Sequence, residues 1–334
     1  MPTTAQVNPA TELFHKESAS NPLIEAQELP LRATYYPFGF PAEVRTNSAR
    51  VLGQFDQLWG MFYKLRDTEP INCEVRLVEE GSTACPPTPT YHLMLPLVIS
   101  IADENNFGVA DLERMQVKIS TSSAALLHPS YVQHSLLGMP SCCVATRLAP
   151  AVHAACVALN SKGVLLCGDS GAGKSTLAYA CSRVGWTYIT DDGAYVFDAV
   201  NREVAGNCYQ MRFRPPTTEM FPELAGHAIT SRPGGKPSIE LPTAPMSHVA
   251  RSQTAHIDYV VFLNRRAPGP PQLVPFNQTS ARRSMREVVY GPAESLDFQY
   301  EAIESLLTAP LFELQYTHLN WAIDRLQALV TNGE

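Results

Sequence analysis

Between Gly163 and Asp192 the pattern of apolar and polar positions changes period twice. Gly163–Cys167 is a continuous apolar run, the length of one buried strand. A polar, glycine-rich loop follows. From Lys174 to Val184 the apolar positions Leu177, Ala178, Cys181 and Val184 fall on one helical stripe, and Gly185 is the stop signal. Trp186–Thr190 resumes a strand that ends in Asp191-Asp192. Similar reasoning orders the rest of the chain. Leu31–Phe40 reads as a β stretch broken by Pro37. Thr46-Asn47-Ser48 caps a helix to Tyr63, with Val51, Leu52, Phe55, Leu58, Trp59 and Phe62 at helical spacing. That aromatic stripe reads as a buried face. Cys73–Val78 and Tyr91–Ile101 read as strands, and Asp103–Asn106 as a turn. Leu126–Leu137 is expected to be helical in part.

Pro140–Pro150 reads as the hinge between two domains. Beyond it, His153–Leu159, Ala194–Ala199, Glu203–Ala205, Ile257–Leu263 and Leu311–Tyr316 are expected strands. Ala281–Val289, Ala293–Leu307 and His318–Val330 are expected helices, and 226–245 is loop-rich. Strands alternating with helices argue for an α/β domain over 148–334. It is preceded by a separate α+β domain over 31–147 with no chemical motif, and by a polar, flexible segment, 1–30. No internal repeat is visible.

Composition narrows the setting. The chain has 334 residues, 45% hydrophobic and 17% charged, ordinary for a globular protein with a real core. A net charge of −7, with both signs intermixed, offers no electrostatic case for nucleic acid or an anionic membrane surface. The eight cysteines include no C-x-x-C pair, so a zinc site is not expected. With no leader pattern and no apolar run of spanning length, the reading is a reducing, cytoplasmic protein. Asp103, Glu104 and Asp111 lack the order and glycine placement of a calcium loop and read as turn and cap residues.

The loop carries the chemistry. Gly168-Asp169-Ser170-Gly171-Ala172-Gly173-Lys174-Ser175 fits G-x-x-x-x-G-K-[ST] at every required position, between an apolar strand and an amphipathic helix. Glycines let the backbone approach an anion closely, and successive N–H groups at a helix N-terminus attract negative charge. Residues 168–176, through Thr176, are therefore the expected nucleotide-binding loop for ATP or another nucleoside triphosphate. Lys174 addresses the β- and γ-phosphates and the Ser175 hydroxyl ligates Mg²⁺. Asp191 and Asp192 end the next strand, where ligands of α/β sheets sit, so one is a candidate metal ligand and one a candidate base. His153, fifteen residues before Gly168, is a further candidate.

His153, the GDSGAGKS loop and Asp191-Asp192 together resemble the catalytic domain of the bacterial HPr kinase/phosphorylase family over about residues 150–200. The likeness extends weakly to Val260–Leu263 and the C-terminal helices. The resemblance implies a P-loop kinase fold of the type shared with phosphoenolpyruvate carboxykinase. It implies Asp191 as the base that takes a serine proton, with His153 beside it, Ser175 on the metal, and a homo-oligomer; the residues themselves add Lys174 as the charge stabiliser and Asp192 as a second metal ligand. The family's second signature, E-x-R-G-x-G-x-x-[ND], is absent; that region reads Arg212-Phe-Arg214-Pro-Pro. Arg212, Arg214 and Lys236 are the phosphate-facing candidates there. The expected function is an ATP- and Mg²⁺-dependent kinase acting on a hydroxyl of a protein, peptide or small molecule other than HPr. Two alternatives stand beside it: a nucleotide-binding regulatory protein without phosphotransfer, and a carboxykinase-like enzyme.

Overall fold

The computed structural model describes residues 28–230, 236–265, 267–287, 289 and 293–333; most of the expected N-terminal flexible segment and part of the loop-rich stretch lie outside them. Among the described residues the architecture is mixed α/β with three sheets.

The first sheet has seven strands: β1 (Leu31–Tyr35), β2 (Ala42–Thr46), β3 (Ile71–Val78), β4 (Thr90–Met94), β5 (Leu97–Ile101), β6 (Phe107–Asp111) and β7 (Gln116–Ser122), in the order β1-β2-β3-β7-β6-β5-β4. Strand β3 alternates buried and part-exposed positions, the signature of a sheet with one packed face. Helix α1 (Ala49–Trp59) covers that face with Val51, Phe55 and Trp59, and the Ser48 hydroxyl caps it by accepting from the Arg50 N–H. The helix stops short of Tyr63. Gly60 follows its last residue, and Phe62 is buried from a turn instead. Tyr91–Ile101 is a hairpin rather than one strand: the chain reverses at Leu95-Pro96, where proline cannot donate to a ladder. The expected hinge is helical. Residues 129–148 form a run of α and π turns, with Met139, Cys143 and Val144 in the core and the Ser141 and Thr146 hydroxyls bonded back to carbonyls four residues earlier.

The second sheet has nine strands. Seven run in the order β11-β9-β10-β17-β13-β12-β8: β8 (Ala151–Val152), β9 (Ala155–Leu159), β10 (Lys162–Cys167), β11 (Thr187–Thr190), β12 (Ala194–Asp198), β13 (Glu203–Gly206) and β17 (Thr254–Asn264). Strand β19 (Leu311–Gln315) joins the far end of β17, and β18 (Gln272–Pro275) joins β19. Strands β10, β17 and β19 are mutually parallel, and Val164, Leu165 and Leu166 are fully buried, as befits a central strand covered on both faces. Helices α2 (Lys174–Ser182) and α5 (Leu319–Asn332) share a core on one face. Residues of α3 (Gln278–Arg286) and α4 (Ala293–Leu306) contribute to the core on the other. The strand expected from His153 begins two residues later, at Ala155: β8 pairs with β12 and β9 with β10, and His153 sits in the bend between them. A small third sheet, β14 (Gln210–Phe213), β16 (Ser238–Pro242) and β15 (Ile229–Thr230), stands over the carboxyl end of β10.

The two larger sheets are in contact. Phe38 stacks on Tyr195 at 3.7 Å between ring centroids, and Phe62 meets Tyr209 edge-on. The Gln253 amide bonds the Tyr63 N–H and carbonyl, and Arg66 pairs with Asp198.

Candidate active site

The glycine loop leaves β10 at its carboxyl end and enters α2 at Lys174. Gly168, Gly171 and Gly173 have φ of 143°, 91° and 100°, a region closed to most side chains. At Gly173 space is also short: a Cβ would lie 3.1 Å from Tyr316 Oη and 3.3 Å from Arg265 Cδ. The loop folds back on its own lysine. Lys174 is 6% exposed, and its Nζ donates to the Gly168 carbonyl at 2.6 Å and the Asp169 carbonyl at 3.3 Å. Burial pushes its pKa down, against the pull of Cys167 and of Asp192.

A cleft of about 760 Å³ opens above the loop. It gathers His153, Ser170, Gly171, Gly173, Lys174, Ser175, Thr176, Asp191, Asp192, Arg212, Arg214 and Lys236, segments far apart in sequence. Gly168 and Asp169 face a second, smaller cavity, and Ala172 packs against the core. The Ser175 hydroxyl lies 3.4 Å from the Asp191 carbonyl.

The two aspartates differ sharply. Asp191 is 6% exposed, and both carboxyl oxygens are engaged: Oδ2 accepts from the Arg212 backbone N–H at 3.0 Å, and Oδ1 is 3.0 Å from Tyr188 Oη. That phenol also lies 2.9 Å from the Gln210 carbonyl, which can only accept. Tyr188 has one hydrogen for two acceptors. When it serves Gln210, Asp191 must carry the proton that closes the chain. Burial raises the Asp191 pKa to about 6, with the Asp192 charge adding to it. Asp192, by contrast, has a side chain 56% exposed to the cleft. The His153 ring, whose Nδ1 lies 3.3 Å from Asp192 Oδ1 and 3.0 Å from its carbonyl, holds the carboxyl down to about 2, and the Arg212 and Lys174 charges add to this. The Arg212 guanidinium reaches Asp192 Oδ2 at 3.6 Å and Gln133 Oε1 at 3.2 Å.

Sequence reasoning missed Arg265, Tyr188, Gln133 and Glu240. Arg265 follows the apolar run of β17, the parallel neighbour of β10, and lines the cleft beside Gly173; its place at a strand's carboxyl end was a readable signal. Glu240 lies 3.8 Å from Arg212 and accepts from the Gln210 amide, and no local pattern marks it or Gln133. Among the described residues no cluster of three or more His, Cys, Asp or Glu is assembled for a metal ion. The donor set nevertheless fits Mg²⁺, which keeps its waters and needs one or two protein oxygens besides phosphate. Asp192 and Ser175 offer such oxygens on one cleft.

No family profile matches the chain. No curated protein matches it either. Among solved structures it is similar to the HPr(Ser) kinase/phosphatase from Coxiella burnetii, at 13% identity and a TM-score of 0.30, over 55% of this chain and 95% of that one. At that score the likeness carries no residue-level correspondence.

Proposed function

We propose that the large cleft binds the polyphosphate of ATP or a related nucleoside triphosphate, and that the protein is a phosphotransferase acting on a hydroxyl acceptor. The observation that carries this reading is one cavity walled by a glycine loop with its lysine on one side and by the His153–Asp192–Arg212 constellation on the other. The loop N–H groups and Lys174 hold the transferring phosphoryl, with Arg212, Arg214, Lys236 and Arg265 supplying positive charge around it. Asp192 and Ser175 would hold Mg²⁺, which neutralises charge on the β- and γ-oxygens when bound.

The base role that the resemblance implies for Asp191 suits the His153–Asp192 pair better, since both side chains face the cleft. A base must meet the acceptor proton, and both Asp191 oxygens are already hydrogen-bonded, to the Tyr188 hydroxyl and the Arg212 N–H. Asp191 serves instead to fix β14, and with it Arg212, against the end of β11. His153 orients Asp192.

Titration calorimetry with a non-hydrolysable ATP analogue and Mg²⁺ tests the binding step. Heat with the wild type and none with Lys174→Ala is the expected result; no heat with any purine triphosphate defeats the reading. Asp192→Asn should keep substantial nucleotide binding and lower turnover by about 10²-fold or more, as loss of a general base does. A second reading, a nucleotide-controlled interaction protein, draws on the bond from Gln133, in the helical run after the first sheet, to Arg212 in the cleft. Nucleotide binding without turnover on any acceptor would favour it.

A further inference from the structure

The smaller cavity, about 260 Å³, lies on the other flank of the glycine loop. Its walls are Gly168 and Asp169 of the loop, Phe262 to Asn264 at the end of β17, Glu313 of β19, Phe276, and Ser284 and Met285 of α3. His153 lines this cavity and the phosphate cleft alike. Resting on the phosphotransferase reading above, we infer that this cavity is the acceptor subsite, and that it takes a small alcohol bearing an amine, one without a carboxylate or phosphate of its own.

Position is the first argument. In a phosphate-binding glycine loop the helix-end amides cradle the α- and β-phosphates and the lysine addresses the β- and γ-phosphates. Here the lysine Nζ lies against the carbonyls of Gly168 and Asp169, so the γ end of the nucleotide is the end nearest those residues. They line the small cavity, which shares His153 with the phosphate cleft. A ligand in the small cavity therefore meets the γ-phosphoryl, while a nucleoside at the opposite end of the triphosphate points away from it.

Size and charge are the second. At about 30 Å³ per water the cavity holds the volume of about nine waters, enough for a compact molecule and too little for a folded partner's surface. The described lining has two carboxylates, Asp169 and Glu313, and no lysine or arginine. Glu313 is oriented by Asn264 Nδ2 at 2.9 Å and Gln315 Nε2 at 2.6 Å, one on each oxygen, and each oxygen keeps a lone pair to accept from a ligand. An ammonium would be held there; an anion would be repelled. Phe262, Phe276 and Met285 supply an apolar wall for the carbon frame.

The step balances without a further reagent. The acceptor oxygen forms its bond to the γ-phosphorus as the bond to the β,γ-bridging oxygen breaks. The nucleoside diphosphate leaves with that electron pair, and the hydroxyl proton passes to the His153–Asp192 pair.

The test uses full-length protein, Mg²⁺ and ATP labelled on the γ-phosphate, with three alcohols of one shape: phenylglycinol (amine), styrene glycol (neutral) and mandelate (anionic). Nucleotide affinity is measured separately by calorimetry. Label is expected on phenylglycinol, less on styrene glycol and none on mandelate. Glu313→Gln should cut transfer to phenylglycinol by about tenfold, as loss of a charge-assisted bond does, with nucleotide affinity unchanged. Ser284→Trp, which fills the cavity from α3, should block transfer and leave nucleotide affinity unchanged. Three results overturn the assignment: nucleotide bound but no alcohol labelled, mandelate labelled as well as phenylglycinol, or Ser284→Trp weakening the nucleotide as much as the transfer. If the wild type binds no nucleotide, the phosphotransferase reading fails first and takes this assignment with it.

Discussion

At the scale of single residues, the adjacent carboxylates have opposite consequences for pH. The folded pKa of Asp191, about 6, lies above its ordinary value of 3.8. The native state therefore holds that proton more tightly than the unfolded chain. Its stabilisation is full below about pH 4 and is lost as pH rises through about 6. Asp192, held down to about 2, contributes above about pH 4 and loses its contribution as pH falls through about 2. Asp191→Asn should therefore flatten the fall in stability between about pH 4 and pH 7, a difference on the order of 2–3 kcal/mol. Urea denaturation of both proteins across that range measures it. A wild type that gains stability over this window relative to the Asn variant would remove Asp191 from the account. Sequence could not separate the two roles. Asp191 and Asp192 are neighbours of one residue type, and only the crossing of β14 over the end of β11 decides which one is covered.

At the scale of elements, legibility follows the range of the interactions. Strand β10, the glycine loop and α2 were readable because periodicity, glycine and lysine spacing are local signals. The His153 bend was not, because it exists only where β8 and β9 choose different partners in the sheet. Pro140–Pro150 reads as a hinge because prolines stand at both ends, yet residues 140–148 are the second half of the helical run over 129–148. Its stability comes instead from Met139, Cys143 and Val144 buried against the first sheet. Two substitutions test elements directly. Ser48→Ala removes the N-cap of α1 and should cost about 1 kcal/mol in denaturant unfolding, with nucleotide binding untouched. Gly173→Ala asks for a φ of 100° at a crowded position and should move Tyr316 or Arg265. We expect it to weaken nucleotide binding more than tenfold, a loss above about 1.4 kcal/mol, while α2 stays folded by circular dichroism.

At the scale of the whole molecule, the first sheet is tied to the second by stacked rings, an amide holding both polar groups of Tyr63, and an ion pair. Tyr195, Phe197 and Tyr209, all C-terminal to the loop, pack against the core of the first sheet. Each stretch has its own apolar pattern and its own buried core, and the residues that bridge the cores are too far apart in sequence for any window to connect. The three tryptophans offer a probe: Trp59 lies in α1, Trp186 precedes β11, and Trp321 lies in α5. In variants that retain either Trp59 or Trp186 alone, fluorescence should report coincident thermal transitions, as for one cooperative unit. Two well-separated midpoints would mean the sheets unfold independently.

The parent strand of the glycine loop sits mid-sheet, laddered to β9 on one flank and β17 on the other, whereas Arg212 rides on a sheet of three short strands. Amide hydrogen exchange should register this as two clocks on facing walls of one cavity. Protons on Val164 to Leu166 wait for global unfolding, and those of β14 and β16 escape through smaller openings. Whatever substrate fits between is gripped by an anvil on one side and a spring on the other.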